Sequence, residues 1–216
     1  MSVFTPSPHP LSAARWKGLR VGLLGGSFNP AHAGHMHIAK QAMVRLKLDA
    51  VWWVVSPGNP LKTKNPVKDF EARVKAVNAF VKHPRMCATD IEGKLKTRYT
   101  YDTIKALLTR FPRTQFVWIA GMDNACAFDR WDKWEKLPAL MPFVFFDRPP
   151  AAAKLKGKRI RQHRHIAQCT KLVARPLKPS ENGVFWMLSG KSVNLSSTAI
   201  RRKKQGHFAK RAESGV

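Results

Sequence analysis

Short, continuously apolar runs alternate along the chain with longer segments in which apolar residues recur every three or four positions. The apolar runs predict buried strands at residues 19–25, 51–55, 115–120 and 143–146, with shorter strand candidates at 171–174 and 184–188. The recurring patterns predict helices at residues 35–48, 70–81 and 101–111. Strands of continuous apolar character separated by helices are typical of a parallel sheet covered on both faces, so we expect an α/β fold.

The same pattern divides the chain into a domain and two tails. Residues 1–18 contain Pro6, Pro8 and Pro10 among polar residues and show no periodic apolar pattern, so we expect a disordered tail there. We expect residues 19–205 to form one domain and the polar residues 206–216 to form a flexible C-terminal tail.

Length and composition narrow the class of protein. The chain has 216 residues, of which 44% are hydrophobic, enough for a sizeable core. No apolar run approaches the ~20 residues that a membrane helix needs, and the N-terminus lacks the apolar segment of a secretion signal. Cys87, Cys126 and Cys169 are too far apart to indicate a disulfide framework. We therefore expect a cytoplasmic protein that does not associate with a membrane.

The net charge is the unusual feature of the composition. The chain has 39 Lys and Arg residues against 13 Asp and Glu residues, a formal charge of +26. A positive field of this size attracts polyanions such as nucleic acid, phosphorylated metabolites or an acidic membrane surface. The charge alone does not choose among these partners.

Ligands of parallel α/β sheets bind outside the carboxyl ends of the strands, where the strand order reverses. The chemistry is therefore expected in the loops that follow Leu24, Val55, Ala120 and Phe146. The first of these loops has the sequence GGSFNPAHAGH at residues 25–35 and leads directly into a predicted helix.

The composition of this first loop indicates a phosphate site. Gly25 and Gly26 allow the backbone to approach a ligand closely, because neither carries a Cβ. The start of the helix at Gly34 offers backbone N–H groups and a partial positive charge to an anion. His32 and His35 flank this start, so both imidazoles can point at the same anion.

Two motifs in this chain resemble those of the nucleotidylyltransferase superfamily, a Rossmann-like group that transfers a nucleotidyl unit from a nucleoside triphosphate. The first loop is similar to the GxFxPxHxGH signature of that group, with Ser27 and Asn29 where many members have Thr and Asp. The segment LSSTAIR at residues 195–201 is similar to the SSTxIR motif near the C-terminus of the same group. A Ser-Ser-Thr cluster that caps a helix can offer hydroxyl and backbone donors to phosphate oxygens.

Further segments are similar to the nicotinate-nucleotide adenylyltransferases within that superfamily. Residues 97–103, TRYTYDT, resemble the TxYTxDT motif, and Gly121-Met122-Asp123, with Trp131, Trp134 and Leu137 following, resembles GxD…W…L. Arg148-Pro149 resembles the RPG motif, although Pro150 replaces its glycine, and Asn59-Pro60-Leu61-Lys62 resembles a loop that ends in a basic residue. The resemblance covers residues 19 to 204 and implies a Rossmann-like parallel sheet with helices on both faces.

The resemblance implies three groups of site residues. The catalytic group consists of His32, His35, Lys62 and Arg201. The ATP-binding group consists of Gly25, Gly26, Ser27, Phe28, Gly34, Gly121, Asp123, Ser196, Ser197 and Thr198. The group that binds nicotinate mononucleotide consists of Asn29, Tyr99, Thr100, Trp131 and Arg148.

The implied reaction joins ATP and nicotinate mononucleotide to give deamido-NAD and pyrophosphate, a step of NAD biosynthesis. The attacking phosphate is already anionic, so catalysis needs positioning and charge neutralisation rather than a general base. Mg²⁺ is expected to be held mainly by the substrate phosphates and water, because the sequence offers no cluster of acidic ligands. No protein-bound metal site is expected.

Several alternatives compete with this interpretation. Related adenylyltransferases that act on nicotinamide mononucleotide or on pantetheine phosphate share the two terminal motifs. A nucleic-acid-binding protein would account for the charge and for the basic runs at residues 154–164 and 201–204, but not for the motifs. His163, His165 and Cys169 suggest a zinc site, yet they lack a fourth ligand at suitable spacing. The oligomeric state is left open.

Overall fold

A computed structural model describes residues 7–9, 11–58, 70–146, 155–164, 166, 170–172 and 181–187 of the 216-residue chain. The strands are β1 Arg20–Gly26, β2 Ala50–Val55, β3 Met86–Thr89, β4 Gln115–Gly121, β5 Pro142–Phe146, β6 Thr170–Leu172 and β7 Gly183–Met187. The α-helices are α1 Ala33–Arg45, α2 Phe70–Phe80, α3 Ile91–Lys94, α4 Thr100–Arg110, α5 Met122–Ala125, α6 Leu137–Leu140 and α7 Arg159–Gln162. Two 3-10 turns, Ala13–Trp16 and Phe128–Arg130, complete the described secondary structure.

The seven strands form one sheet in the order β3-β2-β1-β4-β5-β7-β6. Every neighbouring pair in this sheet is parallel. The chain builds β1, β2 and β3 in one direction and then returns to place β4 on the other side of β1. The strand order therefore reverses between β1 and β4, which confirms the predicted Rossmann-like α/β fold and locates its switch point.

The predicted strands and helices are present, and wherever the structure describes their ends these differ from the prediction by at most three residues. β3 is the strand that the apolar pattern did not predict. Its sequence, MCAT, is only four residues long and includes Thr89, so no apolar run stands out. All four of its residues are buried, because β3 pairs with β2 and α2 packs against it.

The core lies in two layers, one on each face of the sheet. Trp52 belongs to one layer and Trp53 to the other, and neither side chain is exposed. Successive side chains of a strand point to opposite faces, so this pair behaves as the strand pattern predicts. α1 and α2 cover the face of Trp53, whereas α4 covers the face of Trp52.

Part of the predicted N-terminal tail belongs to the folded domain. Trp16 is only 3% exposed, and its ring lies 4.7 Å from that of Trp52. The Thr114 hydroxyl donates to the carbonyl of Trp16 at 2.9 Å, and the amide of Gly18 donates to the carbonyl of Arg113 at 2.7 Å. The expectation of disorder for residues 1–18 is therefore wrong for the segment around Trp16, where a long-range aromatic contact anchors the chain.

Within the described part of the chain, no helix is long and apolar enough to cross a membrane.

Candidate active site

The sheet opens at the switch point between β1 and β4. These strands pair from Arg20 and Gln115 as far as Leu24 and Ile119. Beyond that level, Gly25 and Gly26 pair only with β2, whereas the last residues of β4 pair with β5. The two strand ends therefore separate at the carboxyl edge, which is where parallel sheets bind their ligands.

Gly25 is required by packing inside the protein. A Cβ on Gly25 would overlap the indole of Trp118 on β4. The sequence suggested a different reason, close approach to a ligand. The structure shows that Trp118 occupies the space beside Gly25, at the base of the opening.

Gly26 is also in contact with a side chain of the protein itself. A Cβ on Gly26 would lie 3.2 Å from the ring of Phe28. Phe28 is 3% exposed and has a φ of 43°, a left-handed conformation that is unusual for a bulky side chain. Its ring lies 5.3 Å from that of Trp53, so aromatic packing helps to hold the loop in this conformation.

His32 forms the N-cap of α1. Its Nδ1 accepts a hydrogen bond from the backbone N–H of Gly34 at 3.1 Å, and its carbonyl accepts from the amide of His35 at 2.9 Å. The predicted donors at Gly34 and His35 are therefore used within the helix start. Because Nδ1 accepts in this cap, a neutral His32 carries its proton on Nε2, which makes Nε2 a donor.

His35 lies directly against His32. The two imidazole rings are 3.8 Å apart with an angle of 32° between their planes. Phe28 and Trp53 contact the other sides of the His35 ring at 5.0 Å and 6.2 Å. The structure thus brings the two predicted histidines together and fixes the orientation of His35 with aromatic neighbours.

The carboxyl end of β4 lies beside the same helix. A Cβ on Gly121 would lie 3.3 Å from Ile38 of α1 and 2.5 Å from Oδ1 of Asp123. Gly121 therefore allows α1 to approach β4, and the exposed carboxylate of Asp123 stands next to it. These predicted ATP-binding residues lie on the side of the opening that faces the histidine loop.

Three of the residues predicted to bind nicotinate mononucleotide lie around the opposite face of the sheet, namely Tyr99, Thr100 and Trp131. Trp131 is half-buried, and its ring lies 6.0 Å from that of Trp118. Tyr99, which is 38% exposed, and Thr100 stand at the start of α4. α4 leads into β4, so its N-terminus lies at the carboxyl edge of the sheet, as the N-terminus of α1 does. Asn29 lies in the histidine loop instead, in a cis peptide bond with Pro30.

A buried polar network lies beneath Tyr99, and sequence reasoning missed its central residue. The hydroxyl of Thr103, a motif residue, lies 2.8 Å from that of Thr97 and 3.4 Å from Oε1 of Glu92. Glu92 is 5% exposed. Burial raises the pKa of Glu92 to about 8, and the hydrogen bond from Thr103 opposes this rise. Glu92 is therefore mostly neutral at neutral pH.

Arg73 on α2 is a second residue that sequence reasoning missed. It is 2% exposed, and its Nη1 donates to the carbonyls of Ser27 at 3.0 Å and Ser56 at 2.8 Å. Its Nη2 donates to the carbonyl of Pro57 at 2.9 Å. Arg73 lies on the apolar face of α2, one turn before the buried Val77, and a charge on such a face was the available signal.

Several predicted site residues lie outside the described part of the chain. They are Lys62, Arg148, Ser196, Ser197, Thr198 and Arg201. Asp69, which directly precedes α2, and Pro150 are also outside it. The proximity of Arg201 to His35 that the resemblance implies stays a prediction.

The zinc candidate has one described member. His163 lies 3.3 Å from Oε1 of Glu135, and its ring lies 5.0 Å from that of Trp134, whereas His165 and Cys169 are outside the described residues. Among the described residues, no three His, Cys, Asp or Glu side chains converge in a way that could hold a metal ion. The described side chains therefore offer no metal cage of their own.

Comparisons with known proteins agree with this architecture. Residues 23–203 match the model of the cytidylyltransferase-like family. The chain is 42% identical over 184 residues to a probable nicotinate-nucleotide adenylyltransferase of Cereibacter sphaeroides, which covers 84% of this chain and 96% of that protein. It is 40% identical over 185 residues to a probable nicotinate-nucleotide adenylyltransferase of Methylorubrum extorquens, which covers 86% of this chain and all of that protein.

The fold is shared with a more distant solved structure. A Plasmodium falciparum nicotinic acid mononucleotide adenylyltransferase complexed with APC superposes with a TM-score of 0.61 at 17% identity, covering 85% of this chain and 83% of that one. The parallel sheet and its histidine loop thus define a protein of the nucleotidylyltransferase type. The chain belongs to the cytidylyltransferase-like family, together with these nicotinate-nucleotide adenylyltransferases.

Proposed function

We propose that this protein transfers the adenylyl group of ATP to nicotinate mononucleotide, giving deamido-NAD and pyrophosphate. An oxygen of the mononucleotide 5′-phosphate forms a bond to the α-phosphorus of ATP, and the bond from that phosphorus to the β-bridging oxygen breaks. Pyrophosphate leaves with the electron pair of the broken bond. This chain covers almost the whole length of two relatives that are named for this activity.

The observation that carries the proposal is the position of the histidine loop. His32 and His35 start α1 where β1 and β4 separate, and the partial positive charge of a helix start favours a phosphate group at such an edge. The imidazoles supply donors without adding a carboxylate that would repel the substrates. His35 is the proposed group that stabilises the charge developing on the transferred phosphate.

In this proposal each of the two substrates binds on a different face of the sheet. Gly121, Asp123 and the histidine loop would bind ATP on the face covered by α1. Tyr99, Thr100 and Trp131 would bind the pyridine carboxylate and ring on the face covered by α4. Both phosphate groups would then meet at the end of β1, which holds the reacting atoms close together.

The remaining charges would come from residues outside the described part of the chain. Lys62 and Arg201 would neutralise the triphosphate, Ser196, Ser197 and Thr198 would donate hydrogen bonds to it, and Arg148 would contact the mononucleotide. Arg201→Ala should then act chiefly by raising KM for ATP. Unchanged ATP kinetics in this variant would contradict the assignment of Arg201.

Mg²⁺ would be held by phosphate oxygens and water in this proposal. Mg²⁺ prefers octahedral oxygen ligands and commonly retains several waters beside substrate phosphates. Asp123, the exposed acid at the end of β4, is assigned to the ribose of ATP instead of to the metal. Bound there, Mg²⁺ would neutralise charge on the leaving pyrophosphate.

The experiment is a direct assay of the purified protein with ATP and either nicotinate or nicotinamide mononucleotide. Pyrophosphate release and the dinucleotide product are both measured, so that ATP hydrolysis is distinguished from transfer. Dinucleotide formation that is faster with the acid is the expected result. A preference for the amide would favour the alternative substrate, and absence of any dinucleotide would refute adenylyl transfer to both acceptors.

A further inference from the structure

We infer that Arg73 is a positioning residue that sets the conformation of the histidine loop, and thereby the geometry of the proposed adenylyl transfer. Its guanidinium joins two loops that follow neighbouring strands. One hydrogen bond reaches Ser27 after β1, and two reach Ser56 and Pro57 after β2. This inference rests on the proposed function for its effect on turnover, but not for its effect on the loop itself.

Three carbonyl groups from two separate loops converge on one side chain. The planar guanidinium has five N–H donors in a fixed arrangement, so it can satisfy acceptors that approach from different directions. At 2% exposure, Arg73 is shielded from water that could replace these bonds. Leaving these partly buried carbonyls without donors is costly, so the two loops are tied to α2 rather than merely adjacent to it.

The bond to Ser27 also orients the next amide. In a trans peptide unit the carbonyl and the following N–H point in opposite directions. The carbonyl of Ser27 points at Arg73, so the N–H of Phe28 points away from it. Arg73 thus determines which way a backbone donor at the base of the histidine loop is directed.

The backbone of Phe28 shows that this conformation needs support. Its φ of 43° lies in the left-handed region, which a bulky side chain adopts only when its surroundings hold it there. The ring is held by Trp53 and His35, and the peptide before it is held by Arg73. Weakening the second restraint should allow Phe28 to relax and should move the His35 ring that packs against it.

The test compares Arg73→Lys and Arg73→Gln with Val77→Ala as a matched control. Val77 is fully buried one turn further along the same helix and packs in the core layer of that face. Lysine keeps the charge but cannot bond three separated carbonyls with one planar group. Val77→Ala lowers stability without removing a bond to either loop.

Two readouts separate positioning from general destabilisation. The first is kcat and KM at a temperature where every variant is fully folded, and we expect kcat to fall ~10-fold or more in both Arg73 variants. Val77→Ala should leave kcat unchanged while lowering Tm. The second is amide hydrogen exchange of peptides covering residues 24–36, which should be faster in the Arg73 variants than in Val77→Ala.

Each outcome decides the inference. Wild-type protein without transferase activity would refute the proposed function, yet loop exchange would still test Arg73. Unchanged kcat with unchanged exchange in the two variants would overturn the positioning role. Loss of folding in both variants would also overturn it, because Arg73 would then be a residue of the core. In a His35→Ala background, Arg73→Lys should lower kcat little further, because Arg73 acts on turnover through the loop that holds His35.

Discussion

Glu92 gives a stability prediction whose sign and size follow from its burial. The pKa of Glu92 is about 8 in the folded protein, against an ordinary value of 4.5, and desolvation is the main cause. The folded state therefore holds this proton at pH values where the unfolded chain has released it. Below about pH 4.5 Glu92 is protonated in both states, so it makes no change with pH in the free energy of unfolding. The free energy of unfolding falls as the pH rises from there towards 8, because the unfolded state then binds fewer protons than the folded state.

The magnitude follows from the same two values. One unit of pKa difference corresponds to ~1.4 kcal/mol, so the full destabilisation above about pH 8 is on the order of 5 kcal/mol. Between about pH 5.5 and about pH 8.5 the change in this contribution is roughly 3 kcal/mol. Glu92→Gln keeps the shape and an acceptor for Thr103, but it cannot ionise.

The assay is urea unfolding of wild type and Glu92→Gln across this pH range. The stability of the variant relative to wild type should rise with pH by roughly 3 kcal/mol, and using the difference cancels the titration of other groups. Asp90→Asn is the control from the same turn. Asp90 forms an ion pair with Lys94 at 2.8 Å and its side chain is 35% exposed. Loss of this surface ion pair should lower the free energy of unfolding by no more than ~1 kcal/mol. A difference between Glu92→Gln and wild type that does not change with pH would refute a buried neutral carboxyl.

Three further substitutions test the site and the boundary of the domain. His35→Ala should lower kcat by ~10² or more without unfolding the protein, and a variant with full turnover would remove His35 from the mechanism. Gly25→Ala should destabilise by ~1–3 kcal/mol in urea unfolding, because its Cβ overlaps a buried indole, whereas Gly58→Ala enters open space and should change little. Trp16→Ala should lower the free energy of unfolding by ~3–5 kcal/mol, whereas Leu11→Ala, at a side chain that is 82% exposed, should lower it by less than ~0.5 kcal/mol. Equal effects of the two substitutions would contradict the assignment of Trp16 to the folded domain.

The sequence predicted those elements whose local pattern is continuous. β2 is apolar at every position, and its burial on both faces follows directly from that composition. β3 and Trp16 escaped prediction because their burial comes from partners distant in sequence. Trp16 is buried through its contact with Trp52, 36 positions away, and no periodicity in residues 1–18 marks that contact.

The site shows a similar division between local and long-range information. The pairing of His32 with His35 follows from their spacing at a helix start, and the structure places their rings 3.8 Å apart. The capping role of His32 does not follow from spacing, since a histidine is not a common N-cap residue. Arg73 and Glu92 escaped because a charged residue in a helix is ordinarily exposed, and only the folded structure shows the carbonyls and hydroxyls that surround them.

The opening between β1 and β4 links the packing of the core to the chemistry of the loop. Trp118 extends from β4 into the space that Gly25 leaves on β1, so the two residues depend on each other. The same indole contacts Trp131, which the proposed mechanism assigns to the pyridine ring. A change at Gly25 would therefore be transmitted through Trp118 to the mononucleotide side of the sheet, although Gly25 belongs to the loop assigned to ATP. For this reason Gly25→Ala should raise KM for both substrates, which a purely local contact with ATP would not do.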